Sequence, residues 1–367
     1  MNKYILTHPL SGNYGGMLQA YASYTILNKK LGNAAIYRYT PKNMQLNFKK
    51  NWYYFKQHVK HCLGKSDNAN TTWRNLEVAH HFSKCINFHD EEHQIHESDN
   101  VAFVVGSDQV WRAEYCREMK DLPFFFLNFL TKEQRKNSIA YSASFGTDEW
   151  EGTEAETEAC RELLNDFKAV SVREHTGIQI CKEQFGIHAV QMPDPTMLLK
   201  MEDYENLIHR ERTWCPELDY IAAYVLDEQP THASILSSCA QELQLHLQHL
   251  LPHTHAPRWR DRFAPGVSQW LRLIRDSRYV ITDSYHGSVF AIIFNKPFVC
   301  LANAKRGKTR FESLLETFGL KNRLIDQFDM DSVYKILQIP IDWNHVNAIM
   351  KSERERGLHF LLSHLSE

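Results

Sequence analysis

The sequence predicts an α/β fold of two doubly wound, Rossmann-like domains facing a cleft. Three observations carry that expectation. Short apolar, β-branched runs alternate with helix-period segments in two successive halves. Several of the runs, Val101–Val105 above all, are apolar at every position, as in parallel strands covered on both faces. Between the halves stands Pro193-Asp194-Pro195, the best linker candidate, and 367 residues are enough for two cores. The expected boundaries are 1–195 for the N-terminal domain and 196–367 for the C-terminal one.

The first half opens with a strand at Tyr4–Thr7 and a glycine turn at Ser11–Gly16. A helix follows, with Met17, Ala20, Tyr21, Tyr24, Leu27 and Leu31 at helical spacing and Gly32 ending it. A strand at Ala35–Tyr39 comes next. Residues 40–100 are polar, aromatic and histidine-rich, and read as an excursion, helical in part, on the acceptor side. Core strands resume at Val101–Val105, Ser138–Ser144, Ala169–Val172 and Ala189–Met192. The second half begins at Tyr220–Leu226 and continues with a helix near Thr231–Leu243 and a strand at Leu245–Leu251. A helix around Val267–Asp276, strands at Arg278–Thr282 and Phe298–Leu301, and a helical tail at Trp343–Leu365 complete it.

Composition narrows the function classes. A net charge of −2 argues against a general nucleic-acid binder. The N-terminus reaches a turn before an apolar run of signal-peptide length develops, and Phe124–Leu130 and Val289–Phe294 are far short of a membrane span. The expectation is a cytoplasmic protein. Its eight cysteines are scattered without a C-x-x-C pair, as in reduced structural thiols.

Four polar turns follow buried strands, and in parallel sheets they open on the ligand-binding edge. Ser11–Gly16 offers Gly12, Asn13, Gly15 and Gly16, whose bare N–H groups suit an anionic oxygen, although it matches neither the dinucleotide fingerprint nor the P-loop. Gly106–Trp111 offers Ser107, Asp108 and Gln109; Asp108 either orients or deprotonates a hydroxyl, or caps the next helix. Arg173 grips a carboxylate or phosphate, or pairs with Glu174. Asp283–Gly287 places His286 at a strand's carboxyl end and a helix's first turn, with Asp283, Ser284, Gly287 and Ser288 around it. The alternative for His286 is a local hydrogen bond in a capping turn.

In this order the segments resemble the polysaccharide pyruvyl transferase family. The resemblance rests on Ser11-Gly-Asn-Tyr-Gly-Gly-Met-Leu-Gln-Ala-Tyr-Ala22, Val105-Gly-Ser-Asp-Gln-Val-Trp111, Ile139-Ala-Tyr-Ser-Ala-Ser-Phe-Gly146 and Ser171-Val-Arg-Glu174. Asp194-Pro-Thr196, Thr282-Asp-Ser-Tyr-His-Gly287 and Phe290-Ala-Ile-Ile-Phe-Asn-Lys-Pro-Phe298 complete it. It implies a fold similar to the B-type glycosyltransferases. It also implies transfer of pyruvate from phosphoenolpyruvate onto two hydroxyls of one sugar, in a cell-surface polysaccharide or its lipid-linked precursor. Ser284 departs from those branches of the family that carry arginine two residues before the histidine. The donor's phosphate must then be neutralised elsewhere, by Arg173 and by the basic cluster Lys305, Arg306, Lys308 and Arg310.

The chemistry assigns His286 as the acid that protonates the enol carbon and Arg173 as the donor clamp. Asp108 is the candidate partner of the acceptor hydroxyl. No cofactor and no metal are expected, since positive side chains offset the donor's charge. Two rivals remain: a nucleotide-sugar-dependent glycosyltransferase on the same architecture, and a non-catalytic glycan-binding relative.

Histidine is abundant, at 20 residues. His81, Cys85, His89 and His93 fit one face of a solvated helix, but would extend about 18 Å, too far for one ion. His246, His249, His253 and His255 suit structural or acceptor contacts. Between Arg38 and Lys65 lie seven basic and no acidic residues around Trp52-Tyr-Tyr-Phe55. That segment either covers the core or makes a peripheral membrane contact at the inner membrane face, where a lipid-diphosphate-linked acceptor would be met.

Overall fold

The computed structural model describes residues 1–10, 13–40, 78, 80–227, 230–252, 264–302 and 307–366. In the first domain the order is β1 (Asn2–Leu6), α1 (Tyr14–Leu31), β2 (Ala34–Arg38), β3 (Phe88–Asp90), β4 (Val101–Val105), α2 (Ala113–Met119) and α3 (Lys132–Lys136). It continues with β5 (Ile139–Ala143), α4 (Glu154–Leu164), β6 (Ala169–Val172), α5 (His175–Phe185) and β7 (Val190–Gln191). The second domain runs α6 (Met201–Ile208), β8 (Tyr220–Tyr224), α7 (Pro230–Glu242), β9 (His246–His249), α8 (Val267–Arg275) and β10 (Tyr279–Thr282). Then come α9 (Tyr285–Ile293), β11 (Phe298–Leu301), α10 (Lys308–Thr317), β12 (Leu324–Ile325), α11 (Met330–Gln338) and α12 (Trp343–Leu365).

All strand pairs are parallel. The first sheet has the order β3-β2-β1-β4-β5-β6-β7 and the second β12-β11-β10-β8-β9. In each, the winding reverses once: between β1 and β4, and between β8 and β10. A crevice opens where the chain leaves two neighbouring strands in opposite directions, so these reversals are where open α/β sheets bind ligands. The turns after β1 and β4, and the one after β10, therefore stand at the two switch points.

Burial explains why the central elements form. Every residue of β4 is buried, and so is every residue of α9, because each is covered on all sides. One apolar core runs continuously from the first domain into the second. At its centre Tyr14 of α1 stacks on Trp270 of α8, with centroids 5.2 Å apart and planes 10° from parallel. The Tyr14 hydroxyl donates to the Pro265 carbonyl at 2.7 Å. Phe290 of α9 meets the same indole edge-on at 5.4 Å.

Three details differ from the sequence reading. Phe88–Asp90, within the expected excursion, is an edge strand paired with β2; most of the remaining excursion, 41–77, lies outside the described residues. His89 therefore sits in a strand between the rings of Tyr4 and Tyr37, and not on a helix with His81, Cys85 and His93. Strand pairing here overrides a coincidental four-residue period. The C-terminal helix α12, expected with the second domain, returns to the first. Its Arg356 Nη2 donates to Gln191 Oε1 at 2.8 Å, and Phe360 lies 5.9 Å from the Tyr141 ring. A Cβ on Gly357 would stand 2.4 Å from the Tyr141 hydroxyl, so glycine is what lets the helix approach.

Among the described residues no helix is long and apolar enough to cross a membrane. The described cysteines are all unpaired.

Candidate active site

The strand ends deliver four side chains to one place. Asn13 caps α1, its Oδ1 accepting from Gly16 N–H at 3.2 Å. Ser284 caps α9, with Oγ accepting from Gly287 N–H at 3.4 Å. Each cap fixes the first turn of a helix whose next residues enter the cleft. The two turns approach so closely that a Cβ on Gly15 would lie 2.0 Å from His286 Nδ1. Gly16 likewise leaves room for Asp108, whose Oδ2 would be 3.3 Å from an added Cβ and is 3.5 Å from Asn13 Nδ2. Glycine costs a helix roughly 1 kcal/mol relative to alanine; here it makes space for the imidazole and the carboxylate.

Asp194, read from the sequence as part of the linker and of the family resemblance but not as a site residue, organises the site. It is fully buried. Its Oδ1 accepts from Thr196 N–H at 3.0 Å and Thr196 Oγ1 at 2.7 Å. Its Oδ2 accepts from Arg173 Nη1 at 3.1 Å and Ser107 Oγ at 3.0 Å, and stands 3.5 Å from His286 Nε2. Burial alone would raise its carboxyl pKa, but His286, Arg173 and the Thr196 N–H hold it well below the usual carboxylate value. His286 and Arg173, contributed by different domains, thus share one oxygen.

Arg173 is buried. Nε donates to Glu174 Oε1 at 3.2 Å, so the expected ion pair forms. The guanidinium also lies over the Tyr285 ring, 4.4 Å from its centroid. Nη2 has no hydrogen-bond partner among the described residues. Burial opposes the Arg173 charge, but Glu174, Tyr285, Asp194 and Asp108 outweigh it and raise its pKa.

Arg310, buried on α10, completes a second cation from the other domain. Burial, with Arg173 beside it, pulls its pKa down to about 10 against the pull of Glu174 and Asp108. Asp108 is also buried; burial raises its carboxyl pKa, but His8, Arg173, His286 and Arg310 together leave it lowered. A carboxylate so stabilised is a weak base and a good orienting acceptor.

The remaining candidates divide by what they touch. Asp283 Oδ1 and Oδ2 accept from the backbone N–H groups of Leu226 and Asp227, at 2.6 and 3.0 Å, and so anchor the loop after β8. Ser107, fully buried, takes the Gln19 amide oxygen on its N–H at 3.0 Å. Ser288 Oγ donates back to the Ser284 carbonyl at 3.3 Å. Gln109 Oε1 accepts from Arg112 Nη1 at 3.3 Å. Gly287 permits close packing on Thr282, whose Oγ1 would be 2.3 Å from an added Cβ. Gly12 and Arg306 lie outside the described residues, as does Lys305.

His8, two residues beyond β1, was missed. Its ring meets Phe125 edge-on at 5.8 Å. Burial lowers its pKa, with Asp108 opposing and Arg173 adding to the shift. Its position between a strand end and Pro9 was the available signal. A larger cavity, about 670 Å³, lies between α4 and α5 and is lined by Glu158, Arg161 and Glu183, among others; none of the candidate residues borders it. No described group of three or more His, Cys, Asp or Glu could hold a metal ion.

Comparison with known proteins agrees with the architecture. The chain is similar to UDP-N-acetylglucosamine 2-epimerase from Rickettsia bellii, at 12% identity and a TM-score of 0.50, over 100% of this chain and 97% of that one. It is also similar to S. aureus MnaA with UDP, at 11% identity and a TM-score of 0.49, over 100% and 98%. The spinosyn forosaminyltransferase SpnP matches at 12% and 0.46, over 100% and 98%. At such identities the likeness concerns the fold alone, two parallel-sheet domains of the B-type glycosyltransferase kind. No curated protein sequence matches. The family model for polysaccharide pyruvyl transferase, however, matches residues 13–305, which include the capping residues Asn13 and Ser284, Asp108, Arg173, Asp194 and His286. The chain belongs to the polysaccharide pyruvyl transferase family.

Proposed function

We propose that the chain moves the pyruvyl unit of phosphoenolpyruvate onto two hydroxyls of one sugar, forming a cyclic ketal. The supporting observation is the meeting of His286, Arg173 and Arg310 around buried carboxylates at the switch points of both sheets. Phosphoenolpyruvate carries a carboxylate and a phosphate on three carbons, and Arg173 Nη2 and Arg310 are the cations suited to them. Arg310 takes the place left by Ser284.

His286 gives a proton to the enol methylene carbon, which becomes the methyl group. The adjacent carbon turns electrophilic, and a sugar hydroxyl oriented by Asp108 attacks it while losing its proton. Phosphate leaves with its bonding electron pair, the neighbouring hydroxyl closes the ring, and the proton that this hydroxyl loses ends on the released phosphate. One phosphate is released per ketal, with no change of oxidation state, so no redox cofactor takes part. The cationic side chains supply the charge stabilisation for which a metal would otherwise serve.

The acceptor is a polysaccharide precursor, and its lipid-diphosphate-linked form at the inner membrane face is our choice. Support comes from the basic, aromatic segment after Arg38, most of which lies outside the described residues. Arg38 itself is committed to Asp90, through Nη2 at 2.9 Å.

The test is to incubate the protein with phosphoenolpyruvate and matched lipid-linked and free saccharides. Expected are free phosphate and an equal amount of acceptor heavier by one pyruvyl ketal, insensitive to chelator. Gain of a hexose from a sugar nucleotide instead would contradict the proposal.

A further inference from the structure

We propose that Asp194 is a positioning residue that orients the His286 imidazole and holds its neutral form in the Nε2–H tautomer. The argument starts from what surrounds the ring. Nε2 is buried and stands 3.5 Å from Asp194 Oδ2, with no closer hydrogen-bond partner. Nδ1 points the other way, against the backbone of Gly15, where the ring fills the space that a Cβ would take. An imidazole whose Nε2–H faces a fixed carboxylate holds its neutral form in the Nε2–H tautomer. The proton gained on becoming imidazolium is then the one on Nδ1.

Asp194 is well made for this task. Thr196 fixes one oxygen with two donors, so the carboxylate cannot rotate away. Arg173 and Ser107 fix the other oxygen from the first domain, leaving the imidazole as its partner from the second. The carboxylate lies in the linker between the domains. A separation of 3.5 Å is long for a hydrogen bond, and such contacts tighten when substrate closes a site. The charged groups around the imidazole are Asp194 from the linker, Asp108 from the end of β4, and the cations Arg173 and Arg310 that those carboxylates share. Removing the Asp194 charge therefore leaves the ring among more positive neighbours than before.

The kinetic part of this inference rests on the pyruvyl-transfer reading; the tautomer part does not. Two measurements test it in the full chain. The first is 15N chemical shifts of the imidazoles in wild type across pH, with the His286 signals identified by their loss in His286→Gln. The expected neutral form carries its proton on Nε2; a neutral Nδ1–H form would overturn the proposal, whatever reaction the protein performs. The second is kcat/KM for Asp194→Asn, expected to fall roughly 100-fold as the ring loses its fixed orientation. A value within about threefold of wild type would overturn it. Should Asp194→Asn fail to fold, the wild-type tautomer decides alone. A sugar-nucleotide reaction in place of pyruvyl transfer would sink the functional reading and leave the tautomer result standing.

Discussion

Replacing Gly15 by alanine adds a Cβ 2.0 Å from His286 Nδ1 and 2.3 Å from its Cγ. Ordinary contact begins at 3.4 Å, so the ring and the α1 backbone must separate by about 1.4 Å. The ring cannot simply swing aside, because Asp194 stands at its other nitrogen and Tyr285 lies edge-on 5.2 Å away. On the stability side, alanine gains roughly 1 kcal/mol of helix propensity, while overpacking costs about 1–3 kcal/mol. The net change should be small, no more than about 2 kcal/mol destabilising. On the activity side, misplacing a reacting group by about 1 Å can cost about 100-fold. Gly15→Ala is therefore expected to fold, to melt within several degrees of wild type, and to lose roughly 100-fold in kcat/KM for pyruvyl transfer. Steady-state phosphate release and a thermal melt on the same preparation provide both numbers. Full activity in this variant would show that the imidazole does not work from its place against α1.

Other expectations follow from the same contacts. Gly287→Ala drives a Cβ to 2.3 Å from Thr282 Oγ1, which already donates to the Tyr224 carbonyl at 2.7 Å; urea unfolding should report a loss of about 1–3 kcal/mol, and an unchanged midpoint would contradict it. Arg173→Ala strands the buried carboxylates of Asp194 and Glu174, at a cost of about 3–5 kcal/mol; a loss below about 1 kcal/mol would mean that the pairs are not formed. Asp108 and Asp194 have folded pKa values below the ordinary 3.8. Their contribution to stability is thus complete above that value and lost as pH falls through the folded values. Thermal melts should be level near neutrality and fall below about pH 4, and a level profile down to about pH 2.5 would refute the assignment.

The strands that build the switch points were legible because each is a short apolar run between polar turns, as Val101–Val105 and Tyr279–Thr282 illustrate. β7 and β12 are two residues long; Val190–Gln191 fell inside an expected strand, whereas nothing local marked Leu324–Ile325. β3 was hidden because the four-residue spacing of His81, Cys85, His89 and His93 reads as one helix face, and only pairing with β2 makes Phe88-His-Asp90 a strand. Within the site, His286, Arg173 and Asp108 were visible as reactive types at strand ends. Asp194 was not, since Pro-Asp-Pro reads locally as a turn and its importance comes from partners 87 and 21 residues away. The role of Gly15 was equally tertiary: an expected anion cradle proves to be the wall against which the imidazole rests.

The most direct measurement is pyruvyl transfer run in D2O, with the product methyl group read by mass spectrometry and NMR. If His286 delivers a solvent-exchanged proton to the enol carbon while both domains hold the donor, each ketal methyl carries one deuterium, one phosphate appears per ketal, and both signals fall about 100-fold or more in His286→Ala. A ketal methyl without deuterium, or an unchanged yield from His286→Ala, would contradict the account.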